Sequence, residues 1–136
     1  MTFKVDSIAD MAEVAKAISA ELSKKPIVLL DGPMGSGKTT LVSLIVEQIA
    51  PNAEVSSPTY SIVQIYDSPQ GPIYHFDLYR LADPDELLDF GFYEYLDSGN
   101  PCLIEWPEIA EPFMPDEGVL RVDITWEDGL RSVSIS

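Results

Sequence analysis

With 136 residues, 46% of them hydrophobic and 23% charged, the chain has the composition of a single globular domain. Its 23 Asp and Glu against eight Lys and Arg give a formal net charge of -15, which argues against autonomous nucleic-acid binding, because that depends on Lys and Arg displacing counterions from phosphates. No apolar run reaches bilayer-spanning length, the N-terminal residues do not form a signal peptide, and the lone Cys102 has no internal disulfide partner, so a cytoplasmic protein is expected.

In chain order, Ser7-Ile8-Ala9-Asp10 reads as a helix start, with Ser7 capping free N–H groups and Asp10 reaching back. Ile8, Met11, Ala15, Ile18 and Leu22 then recur at three- and four-residue spacing, predicting one buried helix face. Ile27-Val28-Leu29-Leu30 is a continuous apolar run, as expected of a strand covered on both faces. From about Lys38 to Ile49 the pattern Leu41, Leu44, Ile45, Gln48 is helical again. The β-branched and aromatic segments Thr59 to Asp67 and Ile73 to Tyr79, separated by Ser68-Pro69-Gln70-Gly71, predict a β-hairpin. Asp83-Pro84-Asp85-Glu86 opens a further helix. Pro101 to Pro107 holds a short buried strand ending in Glu105, and Val119 to Trp126 with Arg131 to Ile135 makes a second hairpin. The whole is expected to be one α/β domain, a central sheet with antiparallel hairpin additions.

Between the first apolar strand and the second helix lies Gly32-Pro33-Met34-Gly35-Ser36-Gly37-Lys38-Thr39, which matches G-x-x-x-x-G-K-[ST] at every fixed position. Glycines let the backbone curl so that N–H groups, those of Gly35, Ser36 and Gly37 among them, face phosphate oxygens, and the helix N-terminus adds partial positive charge. Lys38 would place its ammonium on the β and γ phosphates, the Thr39 hydroxyl would ligate Mg²⁺, and Thr40 would sit near the α phosphate. ATP with Mg²⁺ is therefore the expected ligand.

Mg²⁺ also calls for a carboxylate, and two stand at strand ends: Asp77 after Ile73-Tyr74-His75-Phe76, and Glu105 after Cys102-Leu103-Ile104. Ligands of open α/β sheets collect beyond the strand C-termini, which favours Glu105 as the metal-side acid. Asp77 shares a strand face with His75 and Tyr79 if alternation holds. The sole histidine, His75, reads as a hydrogen-bonded sheet residue rather than a catalyst on spacing alone. Trp106 fits either core packing or packing on a nucleotide.

The order of these blocks, the loop through Thr40, then Ser57-Pro58-Thr59-Tyr60, then His75-Phe76-Asp77-Leu78-Tyr79-Arg80-Leu81, then Glu105-Trp106-Pro107, resembles the TsaE (YjeE) family of P-loop ATPases. The resemblance implies a P-loop NTPase-like three-layer sandwich with a central, mostly parallel sheet. It implies ATP and Mg²⁺ held by Lys38, Thr39 and Thr40, with Glu105 as the metal-associated acid and Trp106 near the nucleotide. Asp77 matches an acid needed for turnover, Ser57 to Tyr60 a switch-like segment, and Arg131 a basic residue approaching the nucleotide. The implied role is in threonylcarbamoyladenosine modification of tRNA, with TsaD and TsaB as partners; the transfer itself belongs to TsaD. Family members commonly carry a Thr in the first helix where this chain has Met11.

Two rivals share the loop. A small-molecule kinase would bring a lid of arginines to the phosphoryl group, whereas only Arg80, Arg121 and Arg131 exist here. A GTPase would carry an Asn-Lys-x-Asp segment, which this chain lacks.

Overall fold

The computed structural model describes every residue except Glu54 and Ser61, and only the backbone of Val55–Tyr60. The switch-like segment Ser57 to Tyr60 thus falls in a strand whose side chains lie outside the described residues.

The strands are β1 (Thr2–Val5), β2 (Ile27–Asp31), β3 (Val55–Tyr60), β4 (Val63–Ser68), β5 (Gly71–Asp77), β6 (Cys102–Glu105), β7 (Val119–Glu127) and β8 (Leu130–Ile135). They form one sheet in the order β1-β8-β7-β2-β6-β5-β4-β3. Its centre, β7-β2-β6-β5, is parallel, and antiparallel pairs extend both edges. Helices α1 (Ile8–Glu21) and α2 (Lys38–Ile49) cover one face. Helices α3 (Asp85–Asp89) and α4 (Phe92–Asp97), with the 3-10 turn Pro107–Phe113, cover the other. This is the expected three-layer sandwich.

Two cores follow from strand alternation. Val28, Leu30 and Leu103 point to α1 and α2, whereas Ile27, Leu29, Cys102 and Ile104 point to the opposite side. Because both faces are covered, β2 and β6 carry apolar residues without interruption. Burial pushes the Cys102 thiol up to about 12, so it behaves as a small core hydrophobe.

The Ser7 hydroxyl accepts from the Asp10 N–H at 3.1 Å, and the Asp10 carboxylate reaches back to the Asp6 N–H at 2.9 Å, so the N-terminal cap of α1 forms as read. Its buried face is Met11, Val14, Ala15, Ile18 and Leu22. Ile8 is a correction: its helical angle suits the buried stripe, but at the first helical position it stays 69% exposed.

The segment Thr59 to Asp67 is not one strand. Strand β3 ends at Tyr60, and β4 starts at Val63 and runs back antiparallel to it. The second turn of this meander is the expected one, closing Ser68 against Gly71, whose φ of 125° suits glycine. Strand β1 carries too short a pattern to read locally; its partner β8 lies more than a hundred residues away in the chain.

Phe76 is fully buried and anchors the second core, meeting Phe92 and Tyr95 edge-on at 5.2 and 5.3 Å between ring centroids. Phe76→Ala is expected to remove about 3–5 kcal/mol of stability, read by urea denaturation. A loss under about 1 kcal/mol would show that this core is not a determinant of the fold.

Candidate functional site: a cleft at the carboxyl ends of the parallel strands

Strand β2 ends at Asp31, and the chain turns through the glycine-rich loop into α2. The turn depends on glycines for two reasons, backbone angle and space. Gly37 caps α2 with φ 107°, a left-handed conformation that a side chain would strain. At Gly32 the constraint is space: a Cβ there would come within 2.8 Å of the Ser36 Oγ and 2.9 Å of the Ile124 carbonyl oxygen.

The Lys38 ammonium folds back over the loop and donates to the Gly32 carbonyl at 2.5 Å. It also lies 3.1 Å above the centroid of the Trp106 ring. Burial lowers the Lys38 pKa, and Glu105, Asp31, Glu108 and Asp77 pull it back upward. One turn into the site, the Thr39 hydroxyl donates to Glu105, at 3.0 Å from Oε1 and 3.2 Å from Oε2. Glu105 is buried at the end of β6, and its Oε2 meets His75 Nε2 at 2.6 Å.

Asp77 stands beside Glu105 in the β5–β6 register but in different surroundings. It is exposed, and its Oδ1 accepts the Tyr79 N–H at 3.1 Å. That contact turns the chain out of the sheet, so Tyr79 lies beyond the strand that carries His75 and Asp77. Trp106 follows Glu105 in a left-handed conformation, φ 57°, which turns its ring back over Lys38; Tyr79 flanks it at 4.8 Å.

A cleft of about 360 Å³ brings nine of the ten expected residues together: Gly35, Gly37, Lys38, Thr39, Thr40, Asp77, Glu105, Trp106 and Arg131. Ser36 is the exception. Its hydroxyl is fully buried without a partner among the described residues, and its N–H donates to the Pro33 carbonyl at 3.1 Å rather than facing the cleft. Arg131 reaches the cleft from β8, stacked on Trp126 at 4.9 Å. Met11 is buried and does not line the cleft; its Cε lies 3.2 Å from where a Cβ on Gly37 would stand. Met34, on the loop, joins the lining without having been singled out in the sequence, where it is one of the loop's variable positions.

The donor set suits a polyphosphate with a hard cation. Lys38 and Arg131 bring positive charge to one cleft, and the Thr39 and Glu105 oxygens already touch. Among the described residues no three His, Cys, Asp or Glu side chains form a ready metal cage. Mg²⁺ does not need one, because it is commonly bound by one or two protein oxygens together with substrate phosphates and water.

The sheet order, the three layers and the loop at the mouth of the parallel strands define an α/β protein of the P-loop NTPase-like class. The structure resembles the crystal structure of Bacillus subtilis YdiB with a TM-score of 0.74 and 25% identity, covering 99% of this chain and 83% of that one. The family profile described as threonylcarbamoyl adenosine biosynthesis protein TsaE matches residues 5–133. Curated relatives named tRNA threonylcarbamoyladenosine biosynthesis protein TsaE agree with it. The Haemophilus influenzae protein is 40% identical over 91% of this chain and 77% of its own length, and the Bacillus subtilis protein 35% over 76% and 65%. The chain belongs to the TsaE family of threonylcarbamoyladenosine biosynthesis proteins. No helix among the described residues is long and apolar enough to cross a membrane.

Gly32→Ala tests the loop. One of the two atoms met by the added methyl is a backbone carbonyl, so the loop must shift, and a stability loss of about 1–3 kcal/mol is expected in urea denaturation. An unchanged midpoint would show that the loop relaxes freely around the methyl.

Proposed function

We propose that the chain binds Mg-ATP in this cleft, hydrolyses it slowly alone, and acts with the TsaD–TsaB complex to sustain multiple rounds of tRNA threonylcarbamoyladenosine formation. The observation that carries the reading is the Thr39–Glu105 contact at the foot of a complete phosphate loop, inside a cleft that also holds Lys38, Asp77 and Arg131. Lys38, freed from the Gly32 carbonyl, is the cation for the terminal phosphates, and Arg131 brings a second positive charge into the same cleft beside Gly37. Thr39 and Glu105 would hold the Mg²⁺, and the ion would supply charge neutralisation on the phosphate oxygens. Asp77, exposed at the rim of the cleft, would serve turnover, and Trp106, whose ring covers the Lys38 ammonium, would lie near the nucleotide.

A small-molecule kinase fits less well. Of the three arginines, Arg121 is committed to Glu111 at 2.5 and 2.9 Å on the surface, Arg131 lines the cleft and Arg80 lines the cavity adjoining it, so no cluster of arginines converges on one point. The net charge of -15 supports a basic protein partner over direct tRNA binding.

Calorimetry with ATP and Mg²⁺ tests the site. Lys38→Ala removes a charge-assisted contact, for an expected loss of roughly 10–100-fold in affinity with circular dichroism unchanged. Asp77→Ala should keep Mg-ATP binding but lose the hydrolysis stimulated by TsaD and TsaB, whereas Glu105→Ala should lose the Mg²⁺ dependence of binding. The reverse pattern would exchange the two roles, and full affinity in Lys38→Ala would remove the nucleotide from this cleft.

A further set of measurements addresses the partner. The chain alone should give no tRNA gel shift at low ionic strength. TsaD and TsaB should accelerate its ATP hydrolysis, an effect that weakens with added salt where the contacts are exposed. Multiple-turnover modification without this chain, or firm tRNA binding by it alone, would overturn the partner reading.

A further inference from the structure

Beside the nucleotide cleft, a second polar cavity of about 220 Å³ is lined by Thr39, Ile62, Gln64, His75, Asp77 and Glu105. His75 forms its inner wall. Its side chain and that of Glu105 are 8% and 3% exposed, so their 2.6 Å contact is shielded from water. A carboxylate only accepts hydrogen bonds, so Nε2 carries the proton of this contact. Nδ1 is buried and has no partner among the described residues. A proton there would be an unsatisfied buried donor, so the tautomer protonated on Nε2 alone is the one that fits.

The carboxylate is thereby held from two sides. Oε2 takes the His75 proton at 2.6 Å and the longer branch of the Thr39 contact at 3.2 Å, whereas among the described residues Oε1 takes the Thr39 hydroxyl alone, at 3.0 Å. The imidazole is itself braced: the Tyr66 ring stacks over it at 6.5 Å and 24°, and the Tyr66 hydroxyl is tied to Gln64 at 3.0 Å. Strand pairing sets the distance, since His75 stands opposite Leu103 on β6, two residues before Glu105 on the same sheet face.

We propose that His75 is a positioning residue for the divalent cation. Its Nε2–H fixes the Glu105 carboxylate by one oxygen, so that the other stays with Thr39 at the edge of the nucleotide cleft. This inference rests on the Mg-ATP reading above and assigns a function to a side chain that the reading leaves unused. Partners of this kind, which orient a metal-associated carboxylate without touching the metal, typically change metal affinity 10–100-fold when removed.

The test is calorimetry with a non-hydrolysable ATP analogue, in Mg²⁺ and in EDTA, on the native chain and on H75Q, H75N and H75A, with thermal melting as the fold control. A Gln amide nitrogen reaches about where Nε2 stands, whereas an Asn amide stops near Nδ1. H75N and H75A should lose roughly 10–100-fold of the Mg²⁺-dependent gain in affinity, with EDTA affinity within about twofold of native. H75Q should keep most of that gain. The Gln and Asn pair decides the matter if the Ala variant does not fold. Native Mg²⁺ dependence that survives in H75N overturns the proposal alone. Equal losses in Mg²⁺ and in EDTA for H75N and H75Q overturn it in favour of a packing role. A native chain that binds the analogue without Mg²⁺ dependence overturns the Mg-ATP reading with it.

Discussion

The site depends on the register of three parallel strands. Leu30 on β2 stands opposite Glu105 on β6, which stands opposite Asp77 on β5. The two strands that end in acids therefore stop on one line, and the strand that feeds the phosphate loop ends one residue past it, at Asp31. Side chains alternate along a strand, so a slip of one residue in β6 would turn Glu105 into the core of Phe76 and Phe92 and bring an apolar neighbour to Thr39. The apolar pattern on both faces of β6 guards against the slip. Leu103 packs toward α1 and α2, Cys102 and Ile104 pack the other way, and all three are fully buried.

The same register forces charge into a partly dry place. Lys38, His75 and Glu105 are all buried, and such groups persist only where partners compensate for lost water. Here the compensation is distributed. Lys38 has a backbone carbonyl and an aromatic face, and Glu105 has a hydroxyl and an imidazole. Neither charge depends on the other through a direct ion pair, so the ammonium can leave its resting contacts without stripping Glu105 of its own. In a tight Lys–Glu bridge at this position, capture of the lysine by phosphate would leave a buried carboxylate unpaired.

Much of this was legible in the sequence, for reasons that differ from residue to residue. The loop is local: its glycines, Lys38 and Thr39 act over eight consecutive positions, and a turn between an apolar strand and an amphipathic helix leaves a plain pattern. Glu105 was legible because acids at the ends of buried strands face the mouth of a parallel sheet. The inward turn of the Ser36 N–H and the edge strand β1 were not legible, since one depends on a four-residue turn within the loop and the other on pairing across almost the whole chain. The break between β3 and β4 was missed because no Gly, Pro, Asn or Asp stands between Tyr60 and Val63, so composition marks the turn only by a single serine. The His75–Glu105 contact is a cross-strand fact, invisible until the β5–β6 register is known.

That contact also separates the two carboxylates in kind. They are neighbours in the sheet, yet Glu105 is buried and held by two side chains, whereas Asp77 is exposed and held by one backbone N–H. A carboxylate already held by two side chains would lose little freedom on receiving a cation, which on the proposed function suits a binding role. One at the rim, tied to the turn that carries Tyr79, moves with that turn. Tyr79 is 56% exposed and its ring leans on Trp106, which in turn covers Lys38. Asp77, Tyr79, Trp106 and Lys38 thus connect the outer surface to the phosphate loop through adjacent contacts. A protein docking over Tyr79 would meet the turn acid and the lysine cover in one step while leaving the Thr39–Glu105 contact and the buried His75 behind it untouched. On the proposed function, this is the physical basis for binding that is complete in the isolated chain and turnover that waits for a partner.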